Sequence, residues 1–323
     1  VAVTIRDVAR ASGVHVSTVS RAFSAPHLVN PETRTRVLAV ADDLGYRPNR
    51  AARALTTGRT HNLGLIVADI SNPFFPPLIK AAQAQARLRD YQVFVADTDE
   101  DPKVEEELIQ TLTKQVDGVL LCSPRLTNKA IERLREDVPF VLVNRRVTGM
   151  ATVCMDVARG AGLAIGHLTG LGHRRLALVT GPRGSWTSKE MQEAAAATSE
   201  ADVAFIGPNQ PTEQGGRAAA AGVLASGATG VLAYNDLVAI GLVEGLAERG
   251  VDVPGDISVI GVDDILAGRL VRPRLTTVAM PTAAAGRIAV DLLLQSVDSR
   301  AAMGVTMLET TLIVRESTGE APR

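Results

Sequence analysis

From Leu63 onward, short apolar runs alternate with amphipathic stretches along the chain. LGLIV, YQVFVAD, GVLLCS, FVLVN and TVCMD read as strands, with helices predicted over Pro76–Arg89, Val104–Gln115 and Ile131–Glu136 between them. A second series opens with a helix at Ala158–Leu171. It continues with strands RLALVTG, DVAFIGP, GVLAYN and ISVIGVDD, separated by helices near 188–199, 213–226 and 236–249. LTTVAMP, a helix at Thr282–Ser296 and one strand, TMLETTLIV, complete the pattern. Short apolar strands alternating with helices imply parallel sheets joined by right-handed crossovers. Two such series predict an α/β body of two doubly wound parallel-sheet lobes.

The first 46 residues follow the helical period alone. Thr4 is placed to cap a helix with Asp7 at its third position, Ile5, Val8 and Ala9 recur at helical spacing, and Gly13 marks a turn. In the next segment Val16, Val19 and Phe23 share one face, while Ser17, Thr18 and Arg21 point the other way. Asn30 and Pro31 start a third helix whose inner face is Val37, Val40, Ala41 and Leu44. The result is a small all-α helix-turn-helix head. Its second helix has an apolar back and a Ser, Thr and Arg front, which suits a DNA major groove, where arginine reads guanine and small hydroxyls meet phosphates or base edges.

Charge sharpens this division. Formal net charge is -1 over 323 residues. Residues 1–61 nevertheless hold nine arginines against four carboxylates, a surplus of five positive charges, and the rest of the chain is acidic. A basic head on an acidic body fits one part that meets phosphate and one that does not. Cys122 and Cys154 stand in apolar strand-like runs without metal-ligand spacing, as expected of buried thiols in a reducing cytoplasm, and no metal or cofactor is called for. No apolar signal core or run of membrane-spanning length is present, so a cytoplasmic protein with no membrane partner is expected.

The ordered set TIRDVARASGV, STVSRAF, VNPETRTRV and LGYRPNRAARAL resembles the lactose repressor (LacI/GalR) family of bacterial transcription regulators, and the resemblance extends over nearly the whole chain. It implies a helix-turn-helix head (1–46), a hinge (47–60) and a periplasmic-binding-protein-like body (61–323). The body's lobes would comprise 61–156 with 283–313, and 157–282 with 314–323. It also implies a dimeric repressor on a pseudo-palindromic operator, modulated by a sugar-like effector between the lobes. Val16, Ser17 and Arg21 would read bases, and Thr18, Ser20 and Asn30 would touch phosphates or cap helices. Asn49, Arg50, Ala52 and Leu55 belong to a hinge segment too short to be a stable helix alone. Leu55 stands where family members wedge an apolar side chain into a base step.

Polar strand ends suggest the effector site: Phe74, Asn144, Arg145, Asn235 and Asp263, with Asp236 read as a helix cap. Two departures from the family stand out. Met191 occupies a position where relatives carry an effector-clamping arginine, and Asn209 and Gln210 fall where relatives often have a stacking aromatic. Trp186, the one tryptophan, could supply an aromatic wall. His15 replaces the small residue usual before the recognition helix. RESTGEAPR has no heptad repeat, so no tetramerising coiled coil is indicated. A solute-binding protein would share the body's fold, but the arginine-rich head argues against that role. An enzyme is not expected: GPRGSW is no nucleophile elbow, no phosphate-loop motif follows a strand, and His167 and His173 read as structural or surface residues.

Overall fold

The computed structural model describes residues 3–47, 58–135, 138–198, 200–299 and 304–322. Asn49, Arg50, Ala52 and Leu55 lie outside the described residues. The chain divides into two compact units, Val1–Thr60 and His61–Arg323.

The first unit holds α1 (Ile5–Ser12), α2 (Val16–Ser24), a 3-10 turn at Pro26–Leu28 and α3 (Pro31–Asp43). The backbone N–H and hydroxyl of Thr4 both donate to the Asp7 carboxylate, at 3.0 and 2.6 Å. Gly13 ends α1 at φ 67°, where a Cβ is unfavourable, and the chain turns directly into α2. His15 caps α2, its Nδ1 accepting from the Ser17 N–H at 3.3 Å, so this unusual residue does the work of a small polar cap. Val8, Ala9, Val19, Ala22, Val37 and Ala41 form the core, and Phe23 packs edge-on to Tyr46. Leu44 is a correction: it is exposed, because α3 ends at Asp43 and the helical stripe does not extend past it.

The second unit contains two sheets of six strands. In the first, β1 (Asn62–Val67), β2 (Gln92–Asp97), β3 (Gly118–Cys122), β4 (Phe140–Val143), β5 (Ala151–Met155) and β11 (Gly304–Leu308) run in the order β11-β5-β4-β3-β1-β2. All are parallel, with Leu65 beside Val95 on one side and Leu120 on the other. In the second, β6 (Arg175–Val179), β7 (Asp202–Ile206), β8 (Gly230–Ala233), β9 (Ser258–Asp263), β10 (Thr276–Ala279) and β12 (Thr311–Ile313) run β12-β10-β9-β8-β6-β7. Only β12 is antiparallel to its neighbour. Central strands β1, β3, β4, β5 and β8 are almost wholly buried and mostly apolar because helices cover both faces.

Helices α4 (Phe75–Arg87), α5 (Pro102–Leu112) and α6 (Asn128–Leu134) connect the first sheet. The crossing helix α7 (Val157–Gly170) leads to α8 (Trp186–Ala196), α9 (Glu213–Ser226), α10 (Asp236–Ala247) and the short α11 (Leu266–Leu270), and α12 (Thr282–Ser299) returns to the first lobe. There Gly286 lets α12 approach α4 so closely that a Cβ would stand 2.4 Å from the Leu78 carbonyl oxygen. The final segment departs from expectation. TMLETTLIV is two strands in different sheets, broken at Glu309–Thr310 where the chain crosses between lobes. Residues 311–313 thus pair within the second lobe, and the return falls before 311 rather than at 314. An alternating pattern cannot reveal this, since both strands follow it.

Three features anchor the C-terminal residues on the second lobe. Ser317 Oγ donates to the Val259 carbonyl at 2.6 Å, the Ala321 N–H donates to Leu171 O at 2.9 Å, and His173 Nε2 lies 3.0 Å from Ser258 Oγ and 3.1 Å from Gly319 O. His173 is fully buried and its Nδ1 lies 3.0 Å from Thr229 Oγ1. His167 meets Thr318 at 3.0 Å. Both histidines are structural.

Candidate functional site

Helix α2 presents Ser17, Ser20 and Arg21 to solvent, with Val16 and Thr18 half-buried and Val19 and Ala22 fully in the core behind them. Thr18 and Arg21 share a depression of about 160 Å³ with Val29, Asn30 and Thr33. Asn30 is committed to capping, its Oδ1 accepting from the Glu32 N–H at 2.9 Å, while its amide nitrogen has no such duty in that bond. One cation and several hydroxyls therefore stand on one face, on a helix whose opposite side is fixed by packing.

Within the second unit, the C-terminal ends of both sheets face each other. Binding crevices form there because the strand order reverses beside β1 in one sheet and beside β6 in the other. Between them is a cavity of about 30 Å³, edged by Asn72, Phe74, Ser123, Arg125 and Asn144 from the first lobe and Tyr234, Asn235, Asp263 and Met280 from the second. Room of this size admits one or two waters. Ser123, Asn144 and Asp263 all have positive φ (51°, 52° and 121°), a conformation that non-glycine residues seldom adopt. Such strain gathers at ligand sites and is held by the surrounding structure. Asn144, buried, accepts from the Met155 N–H at 3.1 Å through Oδ1.

Arg125 occupies the centre of this arrangement. Its Nη2 and Nε donate to the Glu100 carboxylate, the former at 2.8 Å, and its Nη1 donates to Ser123 O at 2.7 Å. Below it, Glu105 is buried and accepts the backbone N–H groups of Arg125 and Leu126 through Oε2, at 2.8 and 3.3 Å. Its Oε1 has no hydrogen-bond partner among the described residues. Burial pushes this carboxyl up to about 7 despite those two bonds. Asp236 is likewise pushed up to about 7 by burial, although it accepts from Thr277 Oγ1 at 2.6 Å and from the Ile265 N–H at 2.8 Å. Burial and then the charge of Asp236 raise Asp263 well above the usual carboxylate range.

A carboxyl whose pKa is higher in the folded than the unfolded state binds more protons when folded. Its contribution to stability is present below the unfolded value and is lost as pH rises through the folded one. For Glu105 this window runs from 4.5 to about 7. Glu105→Gln keeps an acceptor for both N–H groups and carries no charge. We expect the variant to gain about 2–3 kcal/mol near pH 8 and little near pH 4, flattening the body's unfolding free energy against pH in urea titrations. A parallel pH profile in wild type and variant would refute the assignment.

The sequence-predicted residues separate into three groups. Phe74, Asn144, Asn235 and Asp263 edge the cavity. Asn235 rather than Asp236 caps α10, accepting from the Val238 N–H at 2.8 Å, while its Nδ2 donates to Pro211 O at 3.0 Å. Asp236 is the first residue inside the helix, fully buried. Arg145 and Trp186 lie instead on an outer groove of about 590 Å³ beside the cavity. Met191 belongs to neither: it is 1% exposed and packs in the core, because α8 turns that position toward its sheet. Asn209 also has a structural duty, donating through Nδ2 to Thr180 O and Ile206 O at 3.1 and 2.7 Å. Sequence reasoning missed Arg125, Glu100 and Tyr234. A charged residue two positions after GVLLCS, following Pro124, was the available signal for Arg125.

Among the described residues, no helix is long and apolar enough to cross a membrane, and no cluster of three metal-ligating side chains is found. A helix-turn-helix unit and a two-lobed, cleft-bearing α/β unit in one chain define a DNA-binding transcription regulator rather than an enzyme. Comparison with known proteins gives the family. Residues 4–49 match the bacterial regulatory proteins of the lacI family, and 165–318 match a periplasmic binding protein-like domain. The HTH-type transcriptional regulator GalS of Salmonella typhimurium strain LT2 is 36% identical over 308 residues, covering 91% of this chain and 89% of that protein. GalR of Escherichia coli K12 is 33% identical, covering 99% and 96%. A crystal structure of the lac repressor dimer bound to operator and the anti-inducer ONPF superimposes with a TM-score of 0.89 at 25% identity, over 99% of this chain and 100% of that one. A LacI family regulator from Enterococcus faecalis V583 with bound ribose has a TM-score of 0.74 at 28% identity, covering 81% of this chain and 100% of the other. The chain belongs to the lacI family of bacterial regulatory proteins.

Proposed function

We propose that the protein is a cytoplasmic, dimeric repressor whose two heads bind the halves of a pseudo-palindromic operator. In this reading α2 enters the major groove, Val16, Ser17 and Arg21 contact base edges, and Thr18, Ser20 and Asn30 meet the phosphate backbone. Residues 47–60 act as the hinge, with Asn49, Arg50, Ala52 and Leu55 on the minor groove and Leu55 as the wedge. The observation that carries the reading is the exposed Ser17, Ser20 and Arg21 face of α2, backed by buried Val19 and Ala22. The operator-bound lac repressor dimer supports it by likeness.

The effector is a sugar-like molecule held between the lobes, with Phe74, Asn144, Asn235 and Asp263 among its contacts and Arg125 as a donor. Likeness to regulators solved with ribose and with cellobiose supports this class. At about 30 Å³ the central cavity is smaller than any sugar, so binding requires the lobes to part or Arg125 to leave Glu100. An effector that prefers one lobe spacing shifts the population of that state and thereby operator affinity.

Arg21 provides the test. Arg21→Ala should cost about 1–3 kcal/mol on the preferred operator and relax the base preference at one position of each half-site. Selection of operators from randomised DNA, followed by anisotropy titration at fixed salt, measures both. A uniform loss over all sequences would assign Arg21 to phosphate contact instead.

A further inference from the structure

The outer groove has a composition unlike a site for a neutral sugar. Arg145 and Arg146 reach it from the first lobe, and Arg183 and Lys189 from the second. None of the described residues lining it is acidic. Arg146 and Arg183 are exposed and make no ion pair among the described residues. Arg145 is spent on neutral partners, donating to Asn128 Oδ1 at 2.8 Å, Leu126 O at 3.1 Å and, across the lobes, Gly184 O at 3.3 Å. The carboxylates nearest in sequence are Glu193, paired with Lys189 at 3.4 Å, and Glu190, which borders a neighbouring depression with Arg146. The first turn of α8, an eleven-residue helix, also edges the groove through Ser185, Trp186 and Ser188 and adds the positive end of its dipole.

Lys189 is offset by Glu193, and Glu190 lies close enough to Arg146 to feel its charge, but no carboxylate lines the groove itself, so an anion bound there would meet arginines from both lobes. Arginine forks match phosphate oxygens in geometry as well as charge. A volume of about 590 Å³ suits a small metabolite, and half-buried Trp186 offers an apolar wall for its carbon skeleton. We propose that this groove binds the phosphate group of a small phosphorylated metabolite, with Arg146 and Arg183 closing on it from opposite lobes. The proposal rests on the reading that an effector acts between the lobes, and deepens it by naming the ligand's charge and its seat. Because the two arginines belong to different lobes, occupancy draws the lobes together.

The sole tryptophan is a direct reporter, since Trp186 lines the groove. We would titrate the full-length protein with glucose-6-phosphate, ribose-5-phosphate, their neutral parent sugars and inorganic phosphate, following Trp186 emission and the melting temperature. At least one ester is expected to bind about tenfold or more tighter than its parent sugar and inorganic phosphate. That preference should vanish in the R146Q R183Q double variant and partly return in R146K R183K. A melting temperature of the free double variant at or above that of wild type, expected because both side chains are exposed and their removal only lowers the local positive charge, shows that folding is intact. Undiminished ester binding in R146Q R183Q overturns the proposal, as does silence of both esters. Neutral sugars binding equally well to wild type and double variant overturns it while leaving the cleft reading standing. The cleft reading itself fails only if sugars and esters alike leave operator affinity unchanged.

Discussion

Gly241→Ala is expected to destabilise the second lobe by about 3 kcal/mol or more, although alanine is the better helix former. Gly241 lies in α10 where that helix crosses α9. An added Cβ would stand 1.8 Å from the Glu213 carbonyl oxygen and 2.5 Å from its carbon. The obstacle is backbone, so no rotamer change relieves it and the two helices must separate. Gly216 makes the matching approach from α9, 2.0 Å from Val238 O. Separation would open the cluster formed by Ala219, Ala220, Val223, Val238, Ala239, Leu242 and Leu246. Urea unfolding of the purified protein gives the free-energy change. The Gly216→Ala Gly241→Ala pair should lose less than the sum of the single changes, because once the helices have parted the second methyl meets less resistance. Gly166→Ala in α7 is the control. Its Cβ meets nothing within 4 Å and the position is exposed, so a gain of about 0.5–1 kcal/mol is expected there.

Alternation of apolar strands and amphipathic helices made the two-lobed body readable, because buried parallel strands have to be apolar on both faces. Helix starts were readable for a local reason: Thr4 with Asp7, and Asn30 ahead of Pro31, satisfy backbone groups a few residues away, whereas at α10 the cap is Asn235, one residue before the Asp236 that the sequence suggested. What could not be read was set by contacts between distant segments. Arg125 becomes central only when the loop after β3 meets Glu100, which follows β2 and is 25 residues earlier. Met191 and Trp186 sit five residues apart on α8, and only the docking of that helix sends one into the core and leaves the other on the groove. The Met191 position therefore says nothing about a lost clamp; the guanidinium at the cavity comes from the other lobe. The break inside TMLETTLIV was hidden because a β-type pattern does not record which sheet a strand joins.

Val19→Asp should abolish specific operator binding while leaving the body folded. Val19 is fully buried at the middle of α2, in a core whose other buried apolar side chains among the described residues are Val8, Ala9, Ala22, Val37 and Ala41. A head this small has little stability in reserve. A carboxylate placed among these apolar side chains gains no cationic partner from the cluster, and its burial costs several kcal/mol. Unfolding of the head removes the fixed orientation of Ser17, Ser20 and Arg21, so specific affinity falls by about 10³-fold or more toward non-specific electrostatic binding. The body forms a separate unit with its own core, so its melting transition and its response to any ligand should persist. Val19→Ala should be milder, at about 1–3 kcal/mol of head stability, and should weaken all operators alike without altering base preference. Arg21→Ala would do the reverse, changing preference in a folded head. If Val19→Asp retained specific operator affinity, the buried side of α2 would not be what holds its polar face in place. If it melted the body as well, the two units would not be energetically separate.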